Sequence, residues 1–223
     1  MHLIRPTLRL LAHPVQRKHL LAWMASHRSN YCLTTSRPWL PFDLIAYLDA
    51  LNLSGKRVFE YGSGGSTRYW LRRGMYCVSI EHDRTWYHQV SAYTHTEEQL
   101  DYRFIQPEVA QTELFDPADP HLYLSADPLF RGYSFKNYVT QIETFPDDYF
   151  DLILIDGRAR PACLMHSVNK VALGGQIMLD NADRDYYLAQ TEPLLQHVAR
   201  HTFYGATPAA ADFTTTAIFT RLR

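Results

Sequence analysis

Arg57-Val-Phe-Glu-Tyr-Gly-Ser-Gly-Gly-Ser-Thr67 constrains this chain more than any other stretch. It opens with apolar, strand-forming residues, passes through glycines, and runs into Thr67-Arg-Tyr-Trp-Leu71, which suits a helix. Strand, glycine turn and helix in succession are how an α/β sheet turns backbone N–H groups towards a ligand. Glycine serves there because positive φ and close ligand approach both exclude a Cβ atom.

The turn departs from the dinucleotide fingerprint G-x-G-x-x-G. Gly62 and Gly64 match its first two glycines, but the third falls on Thr67. A carboxylate at Glu60 sits awkwardly beside a pyrophosphate. It suits a cofactor with an ammonium group and a sulfonium, which is S-adenosylmethionine (SAM). Further on, Tyr76–Ile80 reads as a second strand ending in Glu81. An acid about 20 residues after such a turn accepts ribose hydroxyls. That acid serves SAM and a nicotinamide dinucleotide equally, so it supports the fold more than the choice of cofactor.

Four stretches, Glu60–Thr67, Ser79–Asp83, Phe150–Gly157 and Leu173–Asn181, resemble successive motifs of class I SAM-dependent methyltransferases, in the family's order. The resemblance implies an α/β fold: a Rossmann-like, doubly wound, seven-stranded sheet with a C-terminal antiparallel hairpin. Residues 38–223 would form that domain and residues 1–37 a helical extension. It also implies cofactor contacts from Glu60, Tyr61, Gly62, Ser63, Gly64, Ser66, Thr67, Glu81, His82 and Asp156. The activity implied is methyl transfer to a hydroxyl of a small molecule or sugar. Two other readings stand beside it: a SAM-binding regulatory protein without catalysis, and a nucleic-acid methyltransferase.

Glu60, Glu81, Asp156 and Asp180-Asn181 all fall at the expected carboxyl ends of strands, where open α/β sheets place their sites. Asp156 follows the most apolar strand, Phe150–Ile155, and is the candidate to hold the acceptor's proton. Asp156, Asp180 and Asn181 together also resemble the divalent-cation site of catechol-type O-methyltransferases, which implies Mg²⁺. The competing reading has Asp156 lining the pocket and Asp180 capping a turn. Arg158 and Arg160 either recognise an anionic substrate or pair with neighbouring acids.

The rest of the chain supplies context. A net charge of −1 over 223 residues gives no general basic field, which argues against nucleic acid as partner. Cys32, Cys77 and Cys163 form no C-x-x-C pair and read as free thiols in a reducing cytoplasm. No run is long enough for a membrane span. No acid precedes Asp43, whereas Arg5, Arg9, Arg17, Lys18, Arg28 and Arg37 are basic. That bias fits a basic helix packed on the domain, or an organellar transit peptide.

The proline-rich segment Pro107–Tyr133 is expected to be a mobile lid or binding loop, its aromatic residues lining a substrate pocket. Helices are expected over Phe135–Phe145 and around Pro193, and a turn at Gly174-Gly175 before the strand Gln176–Leu179.

Overall fold

The computed structural model describes residues 3–223. Four helices precede the sheet: α1 (Ile4–Ala12), α2 (Leu20–Ala25), α3 (Tyr31–Thr35) and α4 (Phe42–Ala50). Pro14 falls between α1 and α2, because an interior proline lacks the N–H that a helix needs. Strands and helices then alternate as β1 (Arg57–Tyr61), α5 (Gly65–Arg72), β2 (Tyr76–Glu81), α6 (Arg84–Thr94) and β3 (Leu100–Phe104). A small ribbon pairs β4 (Glu108–Val109) with β5 (Tyr133–Ser134). After it come α7 (Lys136–Val139), β6 (Phe150–Ile155), α8 (Arg160–Ser167), β7 (Val171–Asp180), β8 (Val198–Gly205) and β9 (Thr214–Arg221).

Seven strands form one sheet in the order β3-β2-β1-β6-β7-β9-β8. Only β9 pairs antiparallel, with β7 on one side and β8 on the other. This is the doubly wound sheet with a terminal hairpin that the sequence predicts. Its strand order reverses between β1 and β6, and the crevice at such a point is where open α/β sheets bind ligands.

Both faces of the sheet are covered. Along β1, Val58 joins Leu44, Leu48 and Trp70 on one face, while Phe59 and Tyr61 join Phe135, Tyr138 and Phe150 on the other. Leu152–Ile155 of β6 are no more than 2% exposed, as a strand covered on both sides requires. The same alternation turns Glu60 towards α4 and α5, behind the glycine turn.

Three expectations are corrected. Gly174-Gly175 lies inside β7, not before it. Val171 pairs with Phe150 and Gln176 with Leu152, so the chain bulges between them. Gly174 takes φ +75° there, the left-handed region that glycine alone enters without strain. The helix around Pro193 is replaced by short 3-10 turns at Asp185–Tyr187 and Glu192–Leu195, since proline removes a donor from any continuous ladder. The helix from Phe135 shrinks to α7 followed by a 3-10 turn, Thr140–Thr144.

The N-terminal helices sit on the hairpin end of the sheet. Trp23 Nε1 donates to Ala210 O at 2.7 Å, Ala206 N–H to Gln16 Oε1 at 3.0 Å, and Leu10, Trp23 and Ala206 are buried together. Gln16 Nε2, Lys18 Nζ and His19 Nε2 converge on the Asp43 carboxylate at 2.8, 2.6 and 3.0 Å. Burial alone would raise Asp43, but hydrogen bonds from Lys18, His19 and Gln16 outweigh it and hold the carboxyl at about 2. The folded value lies below the ordinary 3.8, so this stabilisation is present above that pH and lost as pH falls through about 2. Asp43→Asn is expected to cost about 1–2 kcal/mol at neutral pH, after allowance for solvent screening. Thermal melts of the two proteins should converge as the pH is lowered from 4 towards 2.

Candidate active site

Gly62 opens the turn with φ +90°, and its N–H donates to Ile80 O at 3.0 Å. A Cβ there would lie 3.0 Å from Gly157 Cα, so two loops meet backbone to backbone. Behind them Glu60 is fully buried. Its Oε2 accepts from Thr67 Oγ1 at 2.5 Å and Ser79 Oγ at 2.7 Å, and its Oε1 from Trp70 Nε1 at 3.2 Å. Thr67 Oγ1 also accepts the Gly64 N–H at 3.0 Å. A hydroxyl at the third-glycine position therefore ties the turn to β1, which a glycine could not do. Burial pushes the Glu60 pKa up, against hydrogen bonds from Ser66, Thr67, Ser79 and Trp70.

The sequence expects Glu60 to face a cofactor ammonium. Strand alternation instead points it into α5, and it braces the turn from behind. Tyr61 is also a correction: its ring lies in the core and its hydroxyl donates to Val139 O at 2.8 Å. Only its backbone adjoins the turn.

Glu81, at the end of β2, is 3% exposed. Its Oε2 accepts from Ser63 N at 3.1 Å and Ser63 Oγ at 2.9 Å, and its Oε1 from the backbone N–H groups of His82 and Asp83 at 2.7 and 2.9 Å. Burial would raise its pKa, but His82, 2.9 Å away, and the donors of Asp83 and Ser63 hold it below the usual range. Ser63 Oγ also lies 2.6 Å from Tyr102 Oη, so Ser63 presents this acid to the crevice second-hand. The His82 ring is enclosed edge-on by Phe130, Phe135 and Tyr138.

Two cavities flank the end of β6. The first, about 300 Å³, is bordered by Ser63, Gly64, Gly65 and Ser66 of the turn, by Trp86, and by Tyr31 and Trp39 of the N-terminal stretch. Asp156 also lines it. Aromatic rings beside small polar residues and backbone donors at the start of α5 suit a cofactor with a base and a sugar. The second cavity, about 310 Å³, is bordered by Gly157, Arg158 and Arg160, by Ser125 and Asp127 of the long loop, and by Arg184 and Tyr186. Asp156 and Gly157 thus stand between the two. Gly157 is obligatory, since a Cβ there would lie 2.0 Å from Tyr138 Oη.

Asp156 and Asp180 come together, but with a cation already between them. Arg160, 6% exposed, places Nη2 3.0 Å from Asp156 Oδ1 and Nη1 3.7 Å from Asp180 Oδ2. Its remaining donors go to Gly157 O at 3.1 Å, Asp156 O at 3.0 Å and Asp180 O. Asp180 Oδ1 accepts from buried Thr216 Oγ1 at 2.7 Å. Burial and the nearby Asp180 push the Asp156 carboxyl well up, and Arg160 opposes them. The Mg²⁺ expectation does not fit these residues. A guanidinium neutralises the donors that a metal would need, and no cluster of metal-binding side chains occurs among the described residues. The substrate role expected of Arg160 is corrected on the same ground, because its donors are spent inside the protein.

Arg158 points the other way. Its Nη2 lies 3.0 Å from Asp127 Oδ2 and its guanidinium 5.5 Å from the Phe130 ring, which fastens the long loop over the second cavity. Its Nε is buried without a hydrogen-bond partner. The loop borders that cavity through Pro117, Leu124, Ser125, Ala126, Asp127 and Pro128, not through its aromatic rings as expected. Phe135 and Tyr138 are core, and Phe130 packs on Phe135 and His82.

Sequence reasoning missed Gly65, Trp86, Tyr31, Trp39, Arg184 and Tyr186. A signal existed for Gly65, the one glycine of the turn left out of the expected contacts. The two aromatic residues of the N-terminal stretch carry no motif that would mark them.

No protein-family model matches the chain, and no curated protein matches it. Solved structures do match. A proposed O-methyltransferase from Klebsiella pneumoniae aligns at 14% identity over 95% of this chain and 91% of its own, with a TM-score of 0.53. The O-methyltransferase from Bacillus cereus, crystallised with S-adenosylhomocysteine, aligns at 15% identity over 98% and 87%, with a TM-score of 0.52. TrmN from Thermus thermophilus aligns at 14% identity, TM-score 0.51, over 88% of this chain and 53% of its own. Strand order, terminal hairpin and these likenesses agree: the chain has the fold of the class I SAM-dependent methyltransferases.

Proposed function

We propose that this protein transfers a methyl group from SAM to a hydroxyl of a small acceptor that carries an anionic group. The observation that carries the reading is the position of Asp156 and Gly157 between the glycine-turn cavity and the arginine-lined cavity. SAM, when bound, supplies an electrophilic methyl carbon on a sulfonium. Ser63 to Ser66 and Trp86 would hold the cofactor, and Glu81 would fix Ser63 at its ribose edge. Thr67 and Glu60 act behind the turn, by keeping its backbone in place.

Asp156 is the group placed to take the acceptor's proton as the hydroxyl oxygen forms its bond to carbon. A carboxyl whose pKa is raised is a stronger base once ionised, and Arg160, 3.0 Å from its Oδ1, opposes that rise and aims the group. Arg184, which donates to Tyr187 Oη at 3.0 Å and makes no ion pair among the described residues, is the cation free to meet an anionic acceptor. Arg158, paired with Asp127, holds the long loop across the same cavity. An arginine fork recognises carboxylate and phosphate alike.

The test combines thermal shifts with S-adenosylhomocysteine and a screen of hydroxy acids and sugar phosphates using methyl-labelled SAM. Asp156→Asn is expected to lower turnover by about 10²–10⁴, the usual range for a general base, while changing S-adenosylhomocysteine affinity little. Stabilisation by S-adenosylhomocysteine with no acceptor methylated would favour a SAM-binding regulatory protein. No stabilisation at all would end both readings.

A further inference from the structure

The acid-free N-terminal stretch does more than cover the sheet. It buries Leu10 and Trp23, at 1% and 3% exposure, against the hairpin end. It leaves other large apolar side chains in water: Ile4 and Leu8 at 60%, Leu11 at 48%, Val15 at 54%, Leu21 at 80% and Met24 at 57%. Ile4, Leu8 and Leu11 recur at i, i+4 and i+7, so they form one stripe along α1, away from Leu10. Thus α1 has two apolar faces, and this chain covers only one.

Charge identifies what covers the other. Arg9, Lys18 and Arg37 are paired with Asp212, Asp43 and Asp49. Arg5, Arg17 and Arg28 are exposed and make no ion pair among the described residues. Arg5 adjoins Ile4 on α1, and Arg17 follows Val15 by two residues in the 3-10 turn Gln16–His19, so free cations stand at both ends of the exposed apolar run from Ile4 to Val15 in sequence. A second copy of the chain would set those cations against themselves. A leaflet of anionic lipids is apolar within and negative at its rim, and matches both features. No helix among the described residues is long and apolar enough to cross a membrane, so contact would lie in the plane of the interface.

We propose that α1 and the segment leading into α2 dock this protein on anionic membranes, with Ile4, Leu8 and Leu11 in the acyl boundary and Arg5 and Arg17 among the headgroups. This stands apart from the catalytic reading, because none of these residues lines either cavity.

Co-sedimentation of the full chain with vesicles tests it. The protein is expected to pellet with phosphatidylcholine–phosphatidylglycerol vesicles at low salt, and less with phosphatidylcholine alone or at high salt. The double substitution Leu8→Ser and Leu11→Ser should reduce partition by roughly tenfold or more. Arg5→Gln and Arg17→Gln should each reduce it about fivefold. All four side chains are exposed, so the melting temperature should hold within about 2 °C, which separates lost docking from lost folding. The proposal is overturned if anionic vesicles fail to pellet the protein, or if the double substitution leaves pelleting unchanged. A dimer dissolved by the same double substitution, without vesicle binding, would assign the face to a second copy and overturn it equally.

Discussion

Arg160→Ala is expected to cost about 3–5 kcal/mol of stability, the usual loss when one partner of a buried charge cluster is removed. It should also make the protein bind a divalent cation. The guanidinium sits 3.0 Å from Asp156 Oδ1 and 3.7 Å from Asp180 Oδ2, and it satisfies three backbone carbonyls besides. Without it, two carboxylates and the neighbouring Asn181 remain at one edge of the sheet with no counter-charge. Hard oxygen donors of that kind attract Mg²⁺ or Mn²⁺. Arg160→Lys should recover only part of the loss, since one ammonium cannot reach carbonyls on both sides as the planar fork does. The measurement is a thermal melt of each protein with EDTA, Mg²⁺ and Mn²⁺. The native chain should be indifferent to all three, while Arg160→Ala should melt lower and regain stability with metal. If the native chain is stabilised by metal and the variant is not, the guanidinium does not occupy a cation's place.

The sequence treats Arg158 and Arg160 as equals, two residues apart and both basic. The backbone separates them. Ala159 takes φ +48°, and this left-handed turn sends Arg158 out to Asp127 while Arg160, opening α8, folds back on Asp156. Nothing in the local composition announces a left-handed alanine, so the two roles were not legible. The direction of Glu60 was hidden for a different reason. When a strand is buried on both faces, hydrophobicity no longer reveals its phase, and Glu60 could have faced either the crevice or α5. The polar Thr67 in a glycine's place was the available clue, since its hydroxyl needs a partner. Strand order and the terminal hairpin were legible because motif order and strand-end acids depend on topology, not on side-chain direction. The aromatic residues of the long loop misled because composition cannot separate rings that anchor a loop from rings that line a cavity.

Gly65→Ala should damage the glycine-turn cavity although the substitution is favourable for the helix itself. Gly65 begins α5, and alanine forms helix better than glycine, by about 1 kcal/mol in a helix interior and less at the first helical residue. Its added Cβ, however, would lie 2.1 Å from Arg37 O and 2.5 Å from Cys32 O. Both are backbone atoms that cannot rotate aside, and they belong to one hydrogen-bonded turn, Arg37 N–H donating to Cys32 O at 3.0 Å. The turn must therefore move as a unit, and overpacking of that kind costs about 1–3 kcal/mol. Tyr31 and Trp39 lie on either side of it and form the cavity's N-terminal wall. S-adenosylhomocysteine affinity should fall by roughly tenfold, on the same scale of lost contact energy. Gly64→Ala supplies the control for stability, because a Cβ there would meet nothing closer than Trp86 at 3.7 Å. In unliganded melts it should stay within about 0.5 kcal/mol of the native chain. Should Gly65→Ala melt and bind like the native protein, the N-terminal stretch is not what shapes this cavity, and the roles given to Tyr31 and Trp39 fall with it.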